Sequence, residues 1–540
     1  MAGSDDSVTR QALRRATLYM DRLPAHERAV MSAYQAFYDM NYVTARALYQ
    51  QLLARDPADA DAWYGLGEAW FHDTAGGGGR PGQWTQALRA FRRTLALDAS
   101  YAMAYTHVID LLGIAARDRP WLALLPGDSL VLARRPDFTS PLDSMTLATA
   151  VERARAAFTA EARNWVAVQP TTKSAHAALV DAYIESGQHA AAVAELDRYE
   201  ATVGTYPERP FVEATVRFAA GEDERAAADL RRALETLSAA DLVSGDTGPG
   251  VARAIAAAAN VFAFRGELGP AGRVVELAHQ VALRSQRLAN SPEADLASAM
   301  QDWRMRGELY AAVGAPPAAL RQVWQSAAEA GRRASPARRP SIVASGGAAA
   351  VGLLTSLSGD TSALVELRAL SGHEPMREVR ALLALSRHDS AAARRALAEP
   401  DDRDPGPRYT VFYRPLAAQV YYLLGDYPAA LRVLGEFGPK EFDRTSFDMR
   451  WGLLPRARLL RGALYERMGR REEAEREYRL VVSQWRTADA PLRPFVEQAI
   501  HGLGRLAAVL AGKPAHSTEL SAGHGEGGQC ATSPPGGRRP

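Results

Sequence analysis

One spacing recurs along this 540-residue chain: an aromatic residue, a glycine four positions later, and an alanine five positions after the glycine. A glycine permits a tight turn at the end of a helix, and an alanine lets the returning helix approach closely. A large apolar residue one turn beyond the alanine fills the remaining space. The spacing therefore predicts a series of antiparallel helical hairpins. Its copies stand at Tyr183/Gly187/Ala192, Phe262/Gly266/Ala271, Tyr310/Gly314/Ala319, Tyr421/Gly425/Ala430 and Tyr465/Gly469/Ala474.

The interval between copies indicates the kind of repeat. A sixth copy, without its aromatic residue, stands at Gly221, 34 residues after Gly187, and this interval is the tetratricopeptide (TPR) period. The next interval, from Gly221 to Gly266, is longer, so the stack should be irregular. We predict an all-α fold, an irregular right-handed α-solenoid of roughly ten to twelve TPR-like helix pairs. The fullest match stands at Trp63, Leu66, Gly67, Trp70, Ala87 and Phe91, and both tryptophans are predicted to be core.

Stretches rich in Gly, Pro, Ser or charge interrupt the pattern and divide the chain. A weaker copy has His388 at the place of the glycine. No alternating pattern typical of strands is seen, so no sheet is predicted. The predicted divisions are N-terminal TPR-like repeats at 1–116, a loop-rich connection at 117–145, repeats at 146–237, degenerate repeats with loops at 238–398, a loop at 399–409, C-terminal repeats with a capping helix at 410–511, and a disordered tail at 512–540.

Composition excludes several classes of function. The 64 Lys+Arg and 62 Asp+Glu residues leave a net charge of +2, so neither nucleic acid nor an anionic membrane is an expected partner. The single Cys530 excludes a disulfide framework within the chain. No stretch of 18 uninterrupted apolar residues and no apolar leader is present, which favours neither membrane spanning nor secretion. We therefore expect a cytoplasmic protein.

Two stretches give the chain a resemblance to a known family. The first runs from Leu23 to Arg28 and continues at 61–72, and the second includes 464–478 and 485–496. Both are similar to the TPR regions that follow a serine/threonine kinase or a transcriptional-activator domain in bacterial signalling proteins. The resemblance implies a role in docking partners, substrates or neighbouring subunits. It does not imply kinase activity, because Glu436 stands where a metal-binding Asp must precede Phe437-Gly438.

No catalytic residue, cofactor or metal site is predicted. The run Gly76 to Gly79 lacks the strand and the Lys-Ser/Thr that a phosphate loop requires. His72 and Asp73, like His388 and Asp389, lack a second pair of metal ligands at helical spacing, so surface or capping roles are favoured. The Arg-rich stretch 331–340 has no interleaved aromatic residues and is interpreted as a solvated linker.

A candidate partner-binding groove follows from the resemblance, in which the first helix of each unit lines the concave face. Tyr64, Glu68 and Phe71 recur at i, i+4 and i+7 and so share one stripe of a helix. The corresponding places in later units hold Thr106, Asp110 and Asp181. Such a wall would suit an extended or helical peptide with an arginine and an apolar anchor. The alternative is that Tyr64 and Phe71 pack on the neighbouring unit.

Three functions remain open on these grounds. The first is a non-catalytic protein-interaction scaffold or regulatory adaptor, because stacked helix pairs present a long surface for partners. The second is a detached sensing half of a bacterial kinase or transcriptional regulator. The third is an enzyme on a helical-repeat scaffold, since fold does not determine function.

Overall fold

A computed structural model describes residues 13–510 of the chain, except 14, 74–81, 134–139, 205, 244–248, 289–298, 300–301, 304, 308, 310–316, 334–350, 352–360, 372–376, 400–405, 436 and 440–448. The helices are α1 Ala25–Tyr38, α2 Tyr42–Arg55, α3 Ala60–Phe71, α4 Gln83–Leu97, α5 Ala102–Ala116, α6 Ser144–Val168, α7 Lys173–Glu185, α8 His189–Val203, α9 Arg209–Ala219, α10 Asp223–Thr236, α11 Ala239–Leu242, α12 Pro249–Arg265, α13 Leu268–Leu288, α14 Pro317–Arg333, α15 Thr361–Ser371, α16 Arg377–Ser386, α17 Ser390–Ala398, α18 Gly406–Leu423, α19 Tyr427–Leu434, α20 Leu453–Arg467, α21 Arg471–Gln484 and α22 Arg493–Leu510. Short 3₁₀ turns occupy Met20–Arg22, Met449–Gly452 and Ala490–Leu492.

Consecutive helices pack as hairpins through most of this range. Within the described residues the hairpins are α1/α2, α3/α4, α5/α6, α7/α8, α9/α10, α12/α13, α16/α17, α18/α19 and α20/α21, and α22 packs on α20 and α21 as a final helix. The predicted all-α array of helix pairs is therefore confirmed. Tyr310 and Gly314 of one predicted copy lie outside the described residues.

The turn inside a hairpin has the same geometry in seven of them. One residue takes a left-handed φ of 59–84°, and the next backbone N–H donates to the carbonyl five residues earlier at 2.8–3.0 Å. This bond closes the helix end in the manner of a Schellman motif, which satisfies otherwise unpaired carbonyl groups. The left-handed residues are Met40, Gly187, Gly221, Gly266, His388, Gly425 and Gly469.

The alanine of the pattern is the point of close approach between the two helices. Five residues after each left-handed residue an alanine is fully buried, so that no larger side chain separates the helices. Gly82, with a φ of 77°, begins α4 and precedes Ala87 in the same way. The buried alanines are Ala45, Ala87, Ala192, Ala226, Ala271, Ala393, Ala430 and Ala474.

A two-stranded antiparallel sheet corrects the expectation that the chain contains no strands. Strand β1 (Leu122–Leu125) pairs with β2 (Ser129–Leu132), with Leu125 opposite Ser129. The intervening turn Pro126–Asp128 contains two residues of positive φ, Gly127 at 73° and Asp128 at 59°. Leu122, Leu124 and Leu130 are buried among helices α5 and α6, so the hairpin joins the core of this region. Apolar runs on both sides of Pro-Gly-Asp were the sequence signal for it.

Two parts of the chain about 220 residues apart also meet. The turn between α12 and α13 lies against the segment that follows α21: the N–H of Asp489 donates to the carbonyl of Gly266 at 3.0 Å. The side chain of Asp489 in turn accepts from the N–H of Gly269 at 2.8 Å. Trp485 and Leu492 are buried at this contact. The turn of hairpin α12/α13 and the segment after α21 are therefore in contact, although they are distant in the sequence.

The first helices of consecutive hairpins lie along one side of the stack. Helix α1 packs on α3, α5 on α7, α9 on α12, α16 on α18, and α18 on α20. Among second helices in the described part of the chain, comparable direct packing is seen between α10 and α13. Direct packing between neighbouring hairpins is thus seen at more places among the first helices than among the second helices of the described residues. No helix of the described residues is both long enough and apolar enough to cross a bilayer.

Candidate functional site

The structure places the predicted groove residues on three consecutive first helices. Helix α3 carries Tyr64, Glu68 and Phe71, helix α5 carries Thr106 and Asp110, and helix α7 carries Asp181. Helices α5 and α7 pack directly on each other, and side chains of α3 reach α5.

Helix α3 can approach its neighbours because two of its positions have no side chain. A Cβ at Gly67 would lie 2.5 Å from Cε1 of Phe91, and one at Gly65 would overlap the ring of Tyr49. The absence of these Cβ atoms lets one aromatic ring pack on the helix from each adjacent second helix. Phe91 is fully buried as a result.

The tryptophans of α3 are less buried than the sequence pattern indicates. Trp63 and Trp70 are both half-buried, and Trp63 donates from Nε1 to the carbonyl of Pro57 at 3.0 Å. The guanidinium of Arg46 lies 4.2 Å from the ring of Trp70. Both rings pack against the core cluster that contains Leu66, as predicted, but at its edge, where a polar partner reaches each of them. Leu66 fills the centre instead.

Tyr64 and Phe71 contact the neighbouring hairpin rather than standing apart on an open wall. Phe71 stacks on the imidazole of His107, with ring centroids 4.7 Å apart and 12° between the planes. Tyr64 lies nearly parallel to the same imidazole at 6.1 Å and packs 4.9 Å from Tyr101. Both rings are half-buried. Packing on the adjacent unit was one of the two roles predicted for them.

Glu68 lies between two histidines. Its carboxylate contacts Nε2 of His107, and its Oε2 lies 3.5 Å from Nε2 of His72. Burial opposes the charge of Glu68, but the two adjacent imidazoles outweigh this effect and lower the pKa of the carboxyl to about 2. The pKa of Tyr64 is raised, first by burial and then by the charge of Glu68 and a hydrogen bond to it. Glu68 is therefore an anion at neutral pH.

His107 is the residue of this cluster that was not singled out from the sequence. It lies on α5, buried, with Phe91 4.7 Å away and Phe71 stacked on it. Glu68 and His72 are separated by one helical turn on α3, and His107 follows His72 by 35 residues, close to one repeat period. A search for ligands one period apart would have found it.

The end of α3 is held in place by a buried ion pair. Asp73 accepts from Nη1 of Arg46 at 2.6 Å, and Arg46 also donates to the carbonyl of Ala69 at 3.1 Å. His72, the last residue before Asp73, caps the helix by donating its N–H to the carbonyl of Glu68 at 2.9 Å. The backbone at His72 is therefore held in place, while its side chain stays 40% exposed.

The remaining predicted residues are more accessible. Thr106 is half-buried and donates to the carbonyl of Ala102 at 3.4 Å. Asp110 is exposed and Asp181 is half-buried. The charge of Asp181 contributes, after burial and Tyr199, to the raised pKa of Tyr206. These two carboxylates belong to adjacent first helices.

A separate cavity of about 480 Å³ lies mainly between the second helices α4 and α6. Its charged lining residues are Arg92 and Glu161, which are ion-paired at 3.1 Å, and Arg92 also pairs with Asp128 at 2.5 Å. The polar groups of this cavity are thus directed at one another. The run Gly76 to Gly79, Cys530 and residues 334–340 of the Arg-rich stretch, where no site was predicted, lie outside the described residues.

The repeated turn identifies the type of array. An aromatic residue, a left-handed glycine and a buried alanine recur with the predicted spacing in hairpins α7/α8, α12/α13, α18/α19 and α20/α21. The chain folds as a tetratricopeptide-like repeat protein. No protein-family model matches it, and no curated protein matches it significantly.

Solved structures similar to this TPR-like chain share little sequence with it. A thermophilic TPR protein of Thermus thermophilus, TTC0263, is 18% identical, with a TM-score of 0.25 over 39% of this chain and 91% of that one. The TPR domain of P58(IPK) is 14% identical, with a TM-score of 0.20 over 89% and 99%. The human IFIT1 dimer with m7Gppp-AAAA is 11% identical, with a TM-score of 0.32 over 94% and 87%.

Proposed function

We propose that the chain is a non-catalytic scaffold that binds a protein partner along the wall formed by its first helices. The observation that carries this proposal is the direct packing between first helices of neighbouring hairpins, such as α5 on α7, because it joins separate hairpins into a shared surface. The surface residues of such a wall can vary without loss of the buried alanines and glycine turns that hold the fold. A peptide segment of a partner is the natural ligand for it.

The charges on this wall favour a basic segment. Asp110 and Asp181 lie on the packed helices α5 and α7, and both are accessible at least in part. We assign the electrostatic attraction to these two aspartates because Asp110 is exposed and Asp181 is half-buried, whereas the side chain of Glu68 is only 16% exposed. The half-buried rings of Tyr64 and Phe71 would supply the apolar contact beside them. Such a site fits a peptide that carries arginine or lysine with an apolar anchor.

Affinity purification with two charge-reversed variants tests this assignment. Asp110→Lys combined with Asp181→Lys should lose partners that the wild-type chain recovers, and the wild-type interaction should weaken as salt rises. The matched control is Glu235→Lys with Glu472→Lys, two exposed glutamates on the second helices α10 and α21. Both doubly substituted chains should keep the circular dichroism spectrum of the wild type.

The control variant should recover the same partners as the wild type. If Asp110→Lys/Asp181→Lys also recovers them with unchanged affinity and salt dependence, the wall of first helices is not the binding surface. If both variants lose them equally, the attraction depends on net charge alone, and the assignment to α5 and α7 is also wrong.

The two stretches that resemble signalling proteins bear on the identity of the partner. They fold as α1 and α3 at one end of the array and as α20 to α22 at the other. We propose that the partner is a kinase or a transcriptional regulator and that the array acts as its regulatory half. Mass spectrometry of the recovered proteins tests this, since the absence of both classes would leave a general scaffold.

A further inference from the structure

Glu68, His72 and His107 form a cluster of potential metal ligands. Each residue offers one donor atom, a carboxylate oxygen or a ring nitrogen, and the three donor atoms lie within 4.8 Å of one another. Two residues come from one turn of α3 and the third from α5. Two imidazoles and one carboxylate are a common protein ligand set for zinc and related divalent ions, with one coordination position left for water.

Three polar atoms of this cluster are buried without a hydrogen bond, although Glu68 and His107 form an ion pair. They are Oε1 of Glu68 and both ring nitrogens of His107. His107 is 7% exposed, and its faces are covered by the rings of Phe71 and Phe91. Buried polar atoms without hydrogen bonds are destabilising, and native proteins contain few of them.

We propose that Glu68, His72 and His107 bind one divalent transition-metal ion of the zinc class. The ion would accept electron pairs from one carboxylate oxygen of Glu68 and from one ring nitrogen of each histidine. It would join α3 to α5, and thereby one hairpin to the next. This inference does not depend on the proposed partner binding.

One pair of donor atoms already has the spacing of metal ligands, and the contacting atoms of Glu68 and His107 would have to separate to the same spacing. In a tetrahedral site with bonds near 2.0–2.1 Å, neighbouring ligand atoms are about 3.3 Å apart. Nε2 of His72 and Oε2 of Glu68 are already 3.5 Å apart. His72 has a side chain that is 40% exposed, so its ring can turn toward the ion without disturbing the core. The same exposure gives a metal ion a route into the site from solvent.

The charge of the cluster also suits a cation. The carboxylate of Glu68 supplies a negative charge beside the two imidazoles. Arg46, on the neighbouring helix α2, is ion-paired with Asp73 at 2.6 Å.

Titration of the untagged, chelator-treated full chain with Co²⁺ and then Zn²⁺ tests the proposal. We expect one Co²⁺ per chain, a visible absorption band from nitrogen and oxygen ligation, displacement by Zn²⁺, and a higher melting temperature with either ion. Glu68→Gln and His72→Asn should each weaken binding by more than the roughly 10–100-fold that loss of an outer partner costs. His72→Asn is the decisive variant, since it changes a half-exposed side chain and leaves the core intact.

His26→Asn is the matched control. His26 is another accessible histidine beside a carboxylate, with its Nε2 3.6 Å from Oδ2 of Asp59. Within the described residues, no third potential ligand joins this pair. This variant should bind Co²⁺ as the wild type does. The proposal is overturned if Co²⁺ produces no band and no shift in melting temperature. It is equally overturned if His72→Asn and Glu68→Gln bind the ion with wild-type affinity.

Discussion

Two buried histidine–glutamate contacts lie in neighbouring parts of the stack and differ in how completely they are bonded. In hairpin α7/α8, one ring nitrogen of His176 lies 2.6 Å from Oε1 of Glu195 and the other lies 2.8 Å from the carbonyl of Pro170. Glu195 also contacts Arg198. The ring nitrogens of His107, which touches Glu68 between α3 and α5, make no hydrogen bond.

The difference follows from where each pair lies in the repeat. His176 and Glu195 join the two helices of one hairpin, and Glu195 is fully buried. His107 and Glu68 join the first helices of two hairpins, beside the half-exposed His72. The pair inside the hairpin is hydrogen-bonded entirely to protein groups. The pair between hairpins lies beside the half-exposed side chain of His72, where a ligand can complete its bonding. Chemistry in a repeat array is therefore best sought between units.

The largest effect should come from breaking the hydrogen-bonded pair of His176 and Glu195. Glu195→Ala leaves His176 and the contact of Arg198 without their acceptor, and loss of one partner of a buried pair costs about 3–5 kcal/mol. Glu68→Ala in the metal-free chain should cost less, about 1–3 kcal/mol, because its partners are not hydrogen-bonded to it in full. Urea denaturation followed by circular dichroism measures both. An equal cost for the two variants would contradict the distinction between them.

A pH series sharpens the comparison at Glu68. Its pKa in the folded chain, about 2, is below the ordinary value of 4.5. Its contribution to stability is therefore fully present above pH 4.5 and is lost as the pH falls toward 2. We expect this contribution to be about 2–3 kcal/mol. Urea denaturation at several pH values should show a wild-type advantage over Glu68→Gln that shrinks in this window.

The exposed residue Glu472 supplies the control for that series. Glu472→Gln on α21 should leave the pH dependence of unfolding unchanged. If Glu68→Gln behaves like Glu472→Gln at every pH, then the contacts of Glu68 with the two histidines do not stabilise the folded chain.

A smaller effect should follow from crowding the pair of Glu68 and His107. Gly67→Ala places a Cβ 2.5 Å from the ring of Phe91, which in turn packs 4.7 Å from the imidazole of His107. Overpacking of this kind costs about 1–3 kcal/mol. Thermal melts should show a lower transition for this variant, and Gly504→Ala, at a position where a Cβ meets no atom within 4 Å, should not lower it by this mechanism. A wild-type melt for Gly67→Ala would mean that the ring moves without cost.

The smallest effect is expected at His72, the accessible member of the cluster formed with Glu68 and His107. His72→Asn in the metal-free chain should change the free energy of unfolding by no more than about 0.5 kcal/mol, as at other surface positions. The same substitution should abolish any stabilisation by Zn²⁺. Equal melting temperatures of wild type and variant without metal, and unequal ones with metal, would separate ligation from packing. A large loss without metal would assign His72 a structural role.

Local sequence was sufficient to predict the hairpins. A left-handed turn and a close approach of two helices depend on residues within about ten positions of each other. Gly187 with Ala192, and Gly425 with Ala430, therefore predict a turn without information on any distant contact. Even His388 was recognisable from its place in the spacing. Met40 was not, because neither a glycine nor an aromatic residue marks its turn.

The sequence by itself thus determined the helical repeat and the turn within each hairpin. Only the tertiary structure decided that Phe71 and Tyr64 pack across to the next hairpin, that His107 completes a cluster with Glu68, and that Asp489 meets Gly266. The physical reason is that a repeat pattern specifies which residues each unit buries, whereas the offset and rotation between units depend on the volumes of the side chains that pack between them. Contacts between units follow from that geometry and not from spacing alone.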